Sequence, residues 1–333
     1  MGFLNSLLLT TIRALHSIIN NYALTIIIFT ILIKVVVLPL NIKSRRSTMR
    51  MSALQPQMKA LQDKYKDDQE KLNQKMSELY RKEGVSPLGG CLPMIVSMFV
   101  LFAMFYALRA FADTQLVTQF LTFYHNPEMD PRTMCEPFLW IRNFWMPDSP
   151  FASYMPDANS LRMADFKVWN EVSANLAASG VIPQALNFAD SSAVQTYVNE
   201  VVAPFIASDV YAPYVAVVPG LENLSILGLI KLTIFKEGNG WFILPLLSMG
   251  TQILMQKLTM NAQQMDPNQQ STQKTMIYVM LFMSLYFCAS YNSAFALYWV
   301  VGNVYAIVEQ LGMNKYFKTQ ELKAAKAEEV GIL

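Results

Sequence analysis

The side chains of this sequence that could do chemistry within apolar surroundings are few, and none is a nucleophile with a base beside it. Lys34 interrupts TIIIFTILIKVVVLPLN (25–41), a run that is otherwise apolar from Ala23 to Leu40. An ammonium near the centre of a bilayer helix costs at least ~2.5–3.5 kcal/mol. Thr30 stands four residues earlier, on the same helical face and one turn away. Gln252 and Gln256, also four apart, put two amides on one face, and Tyr298 and Trp299 add amphipathic aromatics to the last apolar run. Such groups suit a hydrated, cationic binding surface. Cys91, Cys135 and Cys288 form no CxxC pair, and there are only two histidines, so neither a disulfide framework nor a zinc site is expected. With no catalytic pair and no cofactor motif, the chain is expected not to be an enzyme and to carry no cofactor.

Three readings of Lys34 stand side by side. It lies six residues from Leu40, about 9 Å at a helical rise, so its stem could snorkel to the headgroups. It could pair with Glu309, the sole candidate carboxylate, because the first four apolar runs hold no Asp or Glu. Or it could line a wet cavity, since polar groups within membrane helices face the bundle interior or water.

The elements that must position these residues follow from composition. The 333 residues are 53% hydrophobic and 15% charged, with 21 Met and 20 Phe, which is too apolar for an ordinary soluble protein of this length. An all-α polytopic membrane protein is expected, with spans at 23–40, 88–109, 241–258, 275–291 and 293–312. The third and fourth are short for a ~30 Å hydrocarbon core and should thin the bilayer around them. Residues 1–22 repeat apolar side chains every three or four positions opposite Arg13, Ser17 and Asn20. That pattern predicts a helix lying in the interface. A signal peptide is disfavoured because no basic segment precedes the apolar stretch.

Charge orients the spans. Residues 41–86 carry 11 Lys/Arg against 6 Asp/Glu, and residues 110–240 carry 6 against 13. Basic flanks mark the cytoplasmic side, so the N-terminus is expected outside and the tail 313–333 inside. Within 41–86 the apolar spacing predicts two antiparallel helices turning at Asp67-Asp68, broken near Pro56 and closed by Gly84. This basic hairpin either obeys the positive-inside rule alone or is a docking arm. Residues 110–240 form an external loop whose 12-residue LSILGLIKLTIF (224–235) is too short to span.

Several segments occur in the order seen in one family: TIIIFTILIKVVVLPL, LQPQMKALQDKY, GVSPLGGCLPMIVSMFVLFAMFYAL, FLWIRNFWMPDSP, LPLLSMGTQILMQKL and LYWVVGN. With the basic hairpin between the first two spans, the chain resembles the YidC-type membrane protein insertases over about 3–151 and 240–315. The resemblance implies a five-helix insertase core with a hydrophilic groove open to cytoplasm and lipid. In it the groove cation falls on Lys34 and the groove threonine on Thr30. Substrate-facing positions fall on Met98, Leu101 and Trp299, and a polar groove position on Gln256. The chain departs from the family at Ser97-Met98-Phe99 (QMP in relatives), at Asn292-Ser293-Ala294 (PSG) and by about 88 extra residues, 152–239. The large external domain that precedes the core in many members is not expected.

The expected function is insertion of nascent membrane proteins into the bacterial plasma (inner) membrane without nucleotide hydrolysis. Expected partners are nascent membrane proteins and membrane lipids, with the ribosome and the secretion translocon as further candidates. The rival is a small-solute transporter or channel, which would show inverted repeats or a closed central path. The insert is read equally as a lid or spacer and as a partner site.

Overall fold

A computed structural model describes residues 2–85, 92–221, 224–226, 230–261 and 267–329. Its helices are α1 (Gly2–Ile19), α2 (Tyr22–Ala53), α3 (Gln55–Lys64), α4 (Gln69–Lys82), α5 (Leu92–His125), α6 (Ala158–Arg162), α7 (Phe166–Ala178), α8 (Ser191–Tyr197), α9 (Ala203–Ile206), α10 (Ile243–Asn261), α11 (Pro267–Ser290) and α12 (Ser293–Glu329). One antiparallel pair, β1 (Leu224–Ile226) and β2 (Ile230–Leu232), departs from the all-helical expectation. It lies in the segment read from sequence as too short to span, where Ile suits an extended chain. Among the described residues, three stretches are long and apolar enough to cross a membrane, Tyr22–Met51, Met98–His125 and Ser293–Gln320. The expected 241–258 and 275–291 fall on α10 and α11, α10 beginning two residues late after Phe242, whose φ is 65°. The GGC element (89–91) lies outside the described residues.

The long helices overrun their apolar cores. Expected to stop at Leu40, Arg109 and Gly312, they continue to Ala53, His125 and Glu329. No helix breaker follows those apolar runs, so hydrophobicity ends while the backbone ladder goes on. The break between α1 and α2 does have a local cause. Asn20 takes the left-handed conformation (φ 53°), and the Asn21 side chain accepts from the Leu24 N–H at 2.9 Å.

The chain divides into two compact units, 1–27 with 103–248 and 284–300, and 28–102 with 249–283 and 301–333. In the second unit the basic stretch forms two helices, α3 ending at Lys64 and α4 beginning at Gln69. Asp68 caps α4 by accepting from the Lys71 N–H at 3.0 Å, Gly84 closes it at φ 61°, and α3 starts just before Pro56. Leu54, Met58 and Val85 make their small core with Met76, Leu79 and Tyr80 packed on it.

In the first unit the insert folds on the extension of α5. Phe120 meets Trp169, Phe205 and Tyr211 edge-on or tilted at centroid separations of 6.0–6.4 Å, and Phe123 meets Phe205, Tyr211 and Tyr214. The Tyr211 hydroxyl donates to Pro156 O at 2.7 Å. Apolar burial of this size supplies the main stabilisation of such a layer.

Both ends of the insert meet at one neck. The Asn143 N–H donates to Asn239 Oδ1 at 2.8 Å, and Asn239 Nδ2 donates back to Asn143 O and Pro147 O at 2.9 and 2.8 Å. The Asn143 amide also bonds Gln119 Oε1 and Tyr154 O. Beside them the buried Asp148 carboxylate accepts from Trp140 Nε1 (3.1 Å), Trp241 N (2.9 Å) and Leu244 N (2.6 Å). The last of these caps α10 across the 88 inserted residues. Gly238 is obligatory here, because a Cβ would sit 2.8 Å from Pro150 Cα, which is backbone that cannot swing aside.

Cys135 and Cys288 are both buried and unpaired, so no disulfide joins them. Glu136 lines a cavity of about 270 Å³ with His16, Asn21 and Tyr22. Burial pushes its carboxyl up to about 7, with a smaller opposing pull from the Trp145 indole.

Two outcomes follow. Asp148→Ala strands three donors, and at about 1.5–3 kcal/mol for a charge-assisted bond it should lower stability by at least about 3 kcal/mol, read as a lowered thermal midpoint of the detergent-solubilised chain. Gly238→Ala should act in the same direction. An acid raised from 4.5 to about 7 on folding makes the fold relatively more stable below pH 4.5, and that advantage disappears as pH climbs through 7. Glu136→Gln should flatten this slope of thermal midpoint against pH between about 4.5 and 7.

Candidate functional site

The second unit holds the cation. Lys34, on α2, is partly buried, and it rests against α12 at Gly302, where a Cβ would lie 3.5 Å from its Cε and 3.8 Å from its Nζ. A helix residue without a side chain gives the lysine stem room at this crossing. Thr30, one turn earlier on α2, is fully buried. On the next residue of α12, Asn303 Nδ2 donates to Thr251 Oγ1 of α10 at 3.1 Å, so an amide and a hydroxyl join α12 to α10 next to the residue that meets the cation. Gln252, beside Thr251, is buried, whereas Gln256 is partly exposed.

Glu309 is the carboxylate whose field reaches Lys34, yet the two form no direct ion pair among the described residues. Asn41 lies beside Glu309 instead. Further along the same seam a cavity of about 530 Å³ is lined by Leu38, Ile42, Tyr305, Glu309 and Met313. The seam ends in polar groups: Arg45 Nη2 and Gln310 Nε2 both donate to Asn314 Oδ1, at 3.2 and 3.0 Å. Gly302 faces Lys34 and Asn314 faces Arg45, 11 residues on along α2 and 12 along α12. The two helices therefore run parallel.

Met98 is 45% exposed and Leu101 partly buried, both on α5. No hydrogen bond or ion pair links Gln256 to Lys34 among the described residues. Tyr298 and Trp299 belong to the first unit, where both pack on Phe295 at 6.3 and 5.7 Å. Tyr298 is buried, and the Trp299 Nε1 is buried without a hydrogen-bond partner among the described residues. Gly302 and Asn303 were not singled out from sequence, although LYWVVGN contains them. The signal was their place three and four residues after Trp299, on the face one turn further along α12.

The seam thus combines a cation, a fully buried threonine, glycine-made space and an apolar cavity. The model of the family described as 60Kd inner membrane protein matches residues 14–321. The chain belongs to this family. It is similar to the membrane protein insertase YidC of Chlorobaculum tepidum, with 29% identity over 332 residues. That match covers 98% of this chain and 38% of the relative's length. The insertases of Chlorobium phaeovibrioides and Prosthecochloris aestuarii are 47% and 48% identical over 108 residues, 32% of this chain and 19% and 18% of theirs. The chain therefore spans well under half the length of these relatives. As a family member with long apolar helices, it is a bacterial membrane protein.

Substitution at Gly302 tests the seam. Ala meets only ordinary contacts there and removes a helix-interior glycine, a gain of about 0.5–1 kcal/mol. Gly302→Ala should leave the thermal midpoint unchanged or about 1–2 °C higher, whereas Gly302→Leu, whose side chain must occupy the space of the Lys34 stem, should lower it.

Proposed function

We propose that the chain inserts nascent membrane proteins into the bacterial plasma membrane, using the seam around Lys34 as part of a hydrophilic groove open to cytoplasm and lipid. The observation that carries this is a mid-helix ammonium held against Gly302 with no carboxylate in direct contact. A membrane protein gains nothing in stability from such a group, so hydration and a passing polar ligand are the natural compensation. Thr30, Gln256, Met98, Leu101, Tyr298 and Trp299 are assigned to the same groove.

Dragging an unpaired polar group through dry hydrocarbon costs several kcal/mol each. A half-open groove substitutes water and side chains for part of that path. Shorter spans at α10 and α11 would thin the bilayer over the rest. Lys34 attracts acidic residues of the incoming tail, and the substrate's own apolar segment leaves by partitioning into lipid. No nucleotide is hydrolysed. Five spans with the N-terminus outside and the tail inside complete the reading, and parallel α2 and α12 are compatible with it. The basic hairpin of α3 and α4, exposed along most of its length, is assigned to docking of the ribosome or an acidic substrate tail. The secretion translocon is a further proposed partner.

Lys34→Arg should support insertion of a small dependent membrane protein in cells depleted of their own insertase. Lys34→Ala and Lys34→Glu should reduce it about tenfold or more, the equivalent of about 1.4 kcal/mol. Full activity of Lys34→Ala at equal protein level ends the electrostatic role. Labelling of cysteines at 30 and 34 by an impermeant reagent from both sides of the membrane would favour a channel instead.

A further inference from the structure

The first unit contains a second, larger cavity of about 590 Å³ that the insertion mechanism does not use. One wall is α5 where its expected apolar run ends, at Arg109 and Asp113, and another is the end of α11, at Tyr286 and Tyr291. The insert closes it with Asp157 and Met163. The rim is open on the side where Tyr286 (54%) and Met163 (60%) stay exposed. Tyrosine beside the last apolar turn of a membrane helix marks headgroup depth, so the cavity mouth lies where lipid headgroups lie. Its size is that of small-ligand sites.

The charges choose among headgroups. Arg109 Nη2 donates to Met163 O at 2.8 Å, and its Nε lies 3.6 Å from Asp113; its other guanidinium N–H groups have no partner among the described residues. Asp157 caps α6 through one oxygen, accepting from the Ser160 N–H at 2.7 Å. One cation and two carboxylates give the lining a net negative charge, which repels a headgroup of net charge −1. It suits a ligand carrying both a phosphate for Arg109 and an ammonium for the carboxylates. Tyr286 and Phe151 also line the cavity, and aromatic rings attract an ammonium.

We propose that this cavity binds the zwitterionic headgroup of an ethanolamine phospholipid in the outer leaflet, with Arg109 on the phosphate and Asp157 on the amine. The assignment rests on the membrane reading of α5 and α11 and not on insertase activity. It makes the insert a clasp that holds a lipid at the outer end of the bundle.

The test uses the full chain in vesicles of equal parts ethanolamine and glycerol phospholipid, solubilised, delipidated and analysed for retained lipid by native mass spectrometry. About one ethanolamine lipid per chain should be retained, at least fivefold over the glycerol lipid. Asp157→Asn keeps the helix cap and removes the charge, and should cut that preference at least fivefold. Asn159→Trp fills the mouth from an exposed position and should abolish retention, with the thermal midpoint within about 2 °C of the parent. Equal retention of both lipids, a preference for the glycerol headgroup, or retention untouched by both substitutions would overturn the proposal. Insertion assays on the same variants report separately on the insertase reading.

Discussion

The buried carboxylate of Asp148 is the point on which the first unit turns. Three N–H donors converge on it, one from a tryptophan side chain and two from the backbone that leads into α10. A carboxylate without those donors would be a buried charge costing several kcal/mol, and α10 without the carboxylate would start on uncapped N–H groups. Each half satisfies the other. The Asn143–Asn239 pair does the same for the neutral groups beside it. The neck is closed this way at both ends of 152–239, so the start of α10 is tied directly to the chain before that segment.

The Lys34 seam obeys the opposite rule. There the polar group is left without a direct counter-charge, and glycine rather than a partner makes its room. An isolated charge within a membrane helix is retained where water or a ligand supplies what the protein withholds. The neck of the first unit is stabilised by completed polar pairing, whereas in the second Lys34 has no direct ion pair among the described residues.

Much of this could be read from residue order. Periodicity and capping residues located the first helix and the two ends of α4 at Asp68 and Gly84, since both signals are local. The lysine, too, stood out against its apolar neighbours. Helix ends were not readable, because α5 and α12 carry no breaker where hydrophobicity fades. The aromatic layer of Trp169, Phe205 and Tyr211 on Phe120 was equally hidden, since it depends on residues up to 91 positions apart. Gly302 was hidden for a related reason: a glycine in an apolar helix has no partner in sequence, and its meaning is the Lys34 stem opposite it. The β1–β2 pair was missed because a short apolar run is ambiguous between strand and helix.

The neck also sets an order of events in time. Asp148 and Leu244 are 96 residues apart. At about 5–20 residues per second, synthesis leaves the carboxylate waiting roughly 5–20 s for the amide it will cap. Throughout that interval it is solvated, and the Phe120 face of α5 can be covered by the insert, whose residues emerge first. Residues 152–239 are thus complete in sequence before α10 exists, and α10 arrives at a cap already in place.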